Sequence, residues 1–182
     1  MTAQPKPQIK TQGGTKSGAA AAIAAAALIM AQFVPVWEGR SLTPYKDVVG
    51  VWTVCEGETR VEMRTYTAAE CDAMSAEMYK EFAAHVVKVT PGIEEHPFML
   101  AAFSSIAINI GKAGYSRSSM RREYRVGNYR QACRALLKYN KAGGRGWRGL
   151  ELRRRGDADR MGEYEVCMAD AVEAQLAAQG VL

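Results

Sequence analysis

The first 37 residues contain no aspartate or glutamate, and residues 17 to 37 contain no charge of either sign. Histidine is almost missing: His85 and His96 are the only two, and neither stands at ligand spacing from a cysteine. None of the four cysteines, Cys55, Cys71, Cys133 and Cys167, forms a CxxC pair, so a zinc site is not expected and no metal or other cofactor is assigned. Zinc-finger spacing, an RNP-like aromatic strand and a helix-turn-helix pattern are also missing, which leaves basic charge as the only support for nucleic acid as a partner. No internal repeat is visible. Charged residues make up 24% of the chain and hydrophobic residues 48%, which argues against bulk disorder.

The acid-free start has a clear organisation. Residues 1 to 16 carry Lys6, Lys10 and Lys16 and read as a flexible basic tail. The uncharged run that follows, "SGAAAAIAAAALIMAQFVPVW", is 21 residues long, enough to reach roughly 30 Å as a helix, about the thickness of a bilayer core. Lysines before it and acids after it place the N-terminus inside and the rest of the chain across the membrane. Nine of its residues are alanine and few are Leu, Ile, Phe or Val, so insertion is marginal. A cleaved signal peptide, a permanent anchor, an anchor able to leave the bilayer and a soluble alanine-rich helix all fit to some degree; the releasable anchor fits both length and weak hydrophobicity.

The remaining ~145 residues suffice for one domain with a core. Residues 38 to 66, with "VGVWTVC", have the β-branched and aromatic character of a small hairpin or three-stranded sheet. At Thr67 the pattern changes to helix: "TAAE" is a capping box, and Met74, Met78, Phe82, Val86 and Val89 form a stripe ending at Pro91 and Gly92. A helix apolar almost all round spans about 97 to 110, closed by Gly111, and shorter helices follow from Ser116 and Asn128. "NKAGGRGWRG" reads as a loop, and one or two helices occupy 150 to 179, interrupted near Gly156. The expected class is α+β, a small N-terminal β lobe followed by a larger helical lobe, with a cleft between them for an extended substrate. The formal net charge is +5, much of the positive charge lying between Arg117 and Arg160, which favours a polyanionic partner if it is more than a solvated face.

Two acids in "WEGRSLTPYKDVVGVWTVCEGET" have the types needed to cleave a glycosidic bond, which takes a proton donor and a carboxylate that activates water. Glu38 follows Trp37 in an expected half-buried position, which would raise its pKa; Asp47 lies beside Lys46 at a turn and stays ionised; Thr53 offers a hydroxyl to the attacking water. Pairs of acids nine apart are common, so spacing alone says little. The wider stretch resembles the catalytic region of phage-type lysozymes, glycoside hydrolase family 24, with Glu38, Gly39, Leu42, Tyr45, Asp47, Gly50, Thr53 and Gly57 in register. "SSIAINIGKAGYSRSSMRR" and "YNKAGGRGWRGLELRRR" resemble later segments of the same family, and the resemblance runs from about Trp37 to Cys167.

The resemblance implies a two-lobe lysozyme-like fold, Glu38 as general acid, and Asp47 with Thr53 positioning the water in an inverting hydrolysis of peptidoglycan glycan strands. It implies an arginine partner for the glutamate, Arg153 or Arg154, and a supporting or substrate-binding place for Tyr45. With the weak apolar run, the chain resembles signal-anchor-release endolysins: tethered to the inner membrane facing the periplasm, then soluble there as a monomer. The cysteine count alone leaves three disulfide connectivities open, or four thiols; the resemblance favours Cys133–Cys167 and Cys55–Cys71. Glu56 and Glu58 depart from the family's pattern, Glu58 standing where relatives have histidine, and as added carboxylates they are expected to raise the pKa of Asp47. A lytic transglycosylase using Glu38 alone, or a tethered wall-binding module with a decayed site, are the alternatives.

Overall fold

The computed structural model describes residues 16–46 and 50–180. The alanine run forms helix α1, Lys16–Phe33, followed at once by the short helix α2, Pro35–Glu38. Alanine has the highest helix propensity, and only Ile23 and Ile29 within α1 are β-branched, so nothing local opposes the helix. Ala22, Ala26, Ala27, Met30, Phe33 and Val34 are buried along one side, against α3, Ala68–Val89, and α4, Pro97–Ser116. The helix is also long and apolar enough to cross a membrane, and its other side leaves Leu28 69% exposed. One segment thus carries a face for the protein core and an apolar surface that suits lipid.

Helix α3 begins as expected: Thr67 Oγ1 accepts from the Glu70 amide at 3.2 Å, and Glu70 Oε2 accepts from the Thr67 amide at 2.7 Å. Its buried stripe differs from the expectation. Cys71, Ser75, Tyr79, Ala83 and Val86 face inward, while Met74, Met78 and Phe82 flank them half-buried. Polar Ser75 and small Ala83 are on this inward face, so hydrophobicity does not reveal it. Helix α4 is the centre of the fold, with every residue from Met99 to Ala107 buried. It kinks at Gly111 (φ 75°), where the sequence suggested an end, and continues to Ser116. Helices α5 (Ser119–Arg125), α6 (Tyr129–Leu136), α7 (Arg148–Arg155) and α8 (Glu163–Ala178) complete the helical lobe, and α8 packs on α4 and α6.

The β lobe is a hairpin of β1, Ser41–Lys46, and β2, Trp52–Cys55, with Tyr45 opposite Thr53. An antiparallel bridge from Val54 to Glu58 extends it. A second, very small hairpin pairs β3, Lys141–Ala142, with β4, Arg145–Gly146, in the stretch read as a loop. Its turn uses Gly143 and Gly144, both at positive φ, as a two-residue hairpin turn requires. Two disulfides close the domain: Cys55–Cys71 joins β2 to α3, and Cys133–Cys167 joins α6 to α8. Both pairings are those the family resemblance favours. A small β lobe beside a larger helical lobe is the α+β arrangement expected.

Candidate active site

Glu38 is the last residue of α2, and Gly39, at φ 69°, turns the chain away into the β lobe. Its side chain is 24% exposed and forms an ion pair with Arg153 from α7, itself 6% exposed. The half-burial matches the expectation, the guanidinium against the carboxylate is the partner the resemblance implies, and the Trp37 ring is engaged elsewhere. Arg153 Nε donates to Glu163 Oε1 at 3.0 Å and Nη2 to Ser105 Oγ at 3.2 Å. The second oxygen of Glu163 pairs with Arg154, which also donates to Tyr139 O at 2.9 Å and Asn109 Oδ1 at 2.7 Å. Two carboxylates and two guanidiniums therefore alternate in one chain, Glu38–Arg153–Glu163–Arg154, each charge answered by an opposite one, which is the condition for keeping charges out of water. Burial works against the Arg153 charge, and Glu163 and Glu38 overcome it, so its pKa stands above the ordinary arginine value.

Of the two arginines the resemblance offered, Arg153 holds Glu38 and Arg154 holds Glu163. Glu163, fully buried, was not singled out from sequence. At the first position of a helix an acid reads as a partner for the helix dipole. The available signal was the adjacent arginine pair: both side chains are drawn inward, which takes an internal anion.

The segment between α7 and α8 also fixes the residue before Glu38. Trp37 Nε1 donates to Met161 O at 2.9 Å, and the Arg160 guanidinium lies 3.9 Å from the centre of the Trp37 ring. Asp157 holds Arg160 through its Nε at 3.0 Å. Gly156 and Gly162 let this segment close on itself: a Cβ on Gly162 would stand 2.1 Å from the Gly156 nitrogen.

On the β lobe, Thr53 is buried, and its hydroxyl donates to Val51 O at 3.1 Å. Tyr45 is paired opposite it and 41% exposed. Asp47 lies outside the described residues, as does nearly all of the expected basic tail. The altered glutamates have their own partners. Glu56 is buried and paired with Arg40, and accepts from Ser75 Oγ at 2.9 Å; Arg40 reaches on to Asp72 at 2.5 Å. Glu58 accepts from the amides of Thr59 and Arg60, both at 3.1 Å. Glu56 thus braces the β lobe on α3, with Arg40 as its counter-charge. Tyr79, between the lobes, has its hydroxyl pKa pushed up to about 12 by burial first and by Glu56 and Glu38 next. The one cluster of metal-ligand type among the described residues, Cys55, Glu56 and Cys71, has its sulfurs in a disulfide and its carboxylate on Arg40. A 330 Å³ cavity lined by Asn109, Tyr139, Lys141 and Leu150 adjoins Arg154 at the back of the Glu38 network.

Comparison with known proteins places this geometry. The chain is 36% identical over 136 residues, 72% of its length and 77% of the relative's, to the SAR-endolysin of Enterobacteria phage P21. The active form of the P1 phage endolysin Lyz superposes with a TM-score of 0.65 at 22% identity, covering 79% of this chain and 83% of that one. The endolysin of Escherichia coli O157:H7 phage FAHEc1 superposes with a TM-score of 0.63 at 21% identity, covering 91% and 96%. At such identities the two structures speak for the fold alone. The family model for phage lysozyme matches residues 35–157, which begin with α2 and Glu38 and take in the hairpin, α4 and Arg153, so the chain belongs to the phage lysozyme family.

Proposed function

We propose that this protein is a releasable endolysin that hydrolyses the β-1,4 bond between N-acetylmuramic acid and N-acetylglucosamine, with Glu38 as the acid. The observation that carries the reading is the Glu38–Arg153 pair at the end of the docked α1–α2 segment. Glu38 gives its proton to the leaving glycosidic oxygen. A water held by Asp47 and the Thr53 hydroxyl attacks the anomeric carbon from the opposite face, passing its proton to Asp47, and the configuration inverts. Arg153 fixes Glu38 through bonds to Glu163 and Ser105. The glycan strand runs between the lobes, past Glu38 on one side and Thr53 on the other.

The control follows from where Glu38 stands. While residues 17 to 37 span the inner membrane, α1 is absent from α3 and α4, and Glu38 is held at the bilayer surface. Release into the periplasm lets α1 dock, seats Trp37 against Arg160 and Met161, and brings Glu38 onto Arg153.

The test is digestion of purified peptidoglycan by full-length protein and by Glu38→Gln. Loss of a general acid costs about 10²- to 10⁴-fold, and Glu38→Gln should fall in that range while melting near wild type. Mass spectrometry of the wild-type digest should show reducing muropeptides that have gained water. A 1,6-anhydro product would reassign the protein as a transglycosylase, and an active Glu38→Gln would remove the residue from its role.

A further inference from the structure

Residues 117 to 138 contain seven cationic side chains and a single acid, Glu123. Their excess of six exceeds the +5 of the whole chain, so everything else is close to neutral. These charges serve no part of the site around Glu38. Arg117, Arg122 and Arg125 are exposed, as are Arg130 and Arg134 on α6, and among the described residues none of the five forms an ion pair. Glu123 is turned to Asn128, whose Nδ2 it accepts at 2.9 Å. Four of the arginines, 117, 121, 122 and 125, line one cavity of 370 Å³ together with Ser116 and Ser118, and no acid lines it. An arginine cluster without counter-charge raises the local potential and matches phosphate geometry.

The place of the patch selects among polyanions. Glu38 ends α2 against Arg153, which itself donates to Ser105 in the middle of α4. From there α1 packs back along α3 and onto the 3-10 turn Ile93–Glu95. Helix α1 therefore reaches the end of the molecule formed by the last turn of α3 and that 3-10 turn. Arg121 holds the same end, donating from Nε to Val89 O at 2.6 Å, and the Tyr124 hydroxyl of α5 lies 3.9 Å from where a Cβ on Gly92 would stand. The basic face and the releasable helix α1 thus meet the same end of the molecule.

We propose that the arginine face of α5 is a docking surface for the phosphate headgroups of an anionic membrane, keeping the released protein at the bilayer from which α1 has withdrawn. This goes beyond the hydrolytic reading and does not depend on it, because binding is scored without turnover. Full-length protein would be sedimented with vesicles of phosphatidylcholine alone and of phosphatidylcholine mixed with phosphatidylglycerol. Apolar partition of α1 contributes to both, so the readout is the ratio of the two partition coefficients. The ratio should be high for wild type and collapse in strong salt. Each surface cation is worth roughly fivefold at an anionic membrane, so Arg117→Gln/Arg122→Gln/Arg125→Gln should lower the ratio by about a hundredfold. The Arg→Lys triple variant should restore it, and both variants should digest isolated peptidoglycan at the wild-type rate. A ratio unchanged in the Gln variant would overturn the proposal. So would unchanged vesicle binding with lost sedimentation on isolated cell walls, which would assign the patch to wall carboxylates instead.

Discussion

A side chain that serves two carboxylates and a serine at once has to be a planar fork. Arg153 bonds Glu38, Glu163 and Ser105 from one guanidinium, and lysine in its place has a single ammonium to offer. Arg153→Lys is therefore expected to keep the charge but lose the geometry. Either Glu38 or the buried Glu163 goes unanswered, and hydrogen bonds to charged groups are worth about 1.5–3 kcal/mol each. For a domain of this size that is a fall of roughly 5–10 °C in melting temperature. A misplacement of about 1 Å at a reacting group costs up to about 10²-fold, so kcat on peptidoglycan should drop by about 10- to 100-fold with KM little changed. Activity within twofold of wild type would mean Arg153 does not position the acid. At this scale the sequence was legible where the family resemblance named residues in register: Glu38 and the arginine partner it implies stand together. Glu163 was not, because its burial depends on the path between α7 and α8, which a Gly156–Gly162 contact sets and no periodicity records. Glu56 looked like added charge near Asp47, and only the structure reveals Arg40 folded across to meet it.

At the scale of the element, α1 has to satisfy two solvents, and its two sides can be tested apart. Ala22, Ala26 and Ala27 are buried in the docked state, whereas Ala20, Ala21 and Ala24 are exposed. Leucine at the buried positions would favour lipid and also overpack the core, by about 1–3 kcal/mol, so its effect on release would have two causes. Ala20→Leu/Ala21→Leu/Ala24→Leu changes the balance toward lipid alone. At about 0.3–0.6 kcal/mol per leucine the shift is roughly 1–2 kcal/mol, near tenfold in the membrane-bound to released ratio. Fractionation of expressing cells should show that enrichment in the membrane, with delayed lysis, while the released fraction melts and digests walls as wild type does. A soluble fraction equal to wild type would mean that hydrophobicity of the exposed side does not control retention. The order of a β lobe and then helices was readable from turns and caps, whereas the β3–β4 hairpin, in a stretch read as a loop, was not. The inward face of α3 was not readable either, since Ser75 is drawn in by its bond to Glu56 and small Ala83 is buried where the larger Met74, Met78 and Phe82 are only half-buried.

For the whole molecule, the question is what holds a weakly apolar segment in place until lysis. Lys6 and Lys10 precede α1 and Lys16 begins it, with no acid among them. With the N-terminus inside, release carries these charges outward across the membrane. Each elementary charge moved against the potential costs about 2.3 kcal/mol per 100 mV, so three lysines amount to roughly 7 kcal/mol per 100 mV. That exceeds any plausible gain from a few alanine contacts in lipid, and it vanishes when the potential does. The electrical term then adds to the weak hydrophobic one and dominates the hold while the potential lasts, and the docking of α1 on α3 and α4 makes withdrawal lasting once it occurs. Lys6→Gln/Lys10→Gln/Lys16→Gln should weaken the hold and lyse cells early without a depolarising agent. Adding a protonophore should advance lysis sharply in wild type and little in the variant. Scoring which side of the membrane the N-terminus occupies, by protease protection, separates early release from failure of the variant to take up its orientation. Equal protonophore responses in two correctly oriented proteins would show that the lysines are not what the potential acts on.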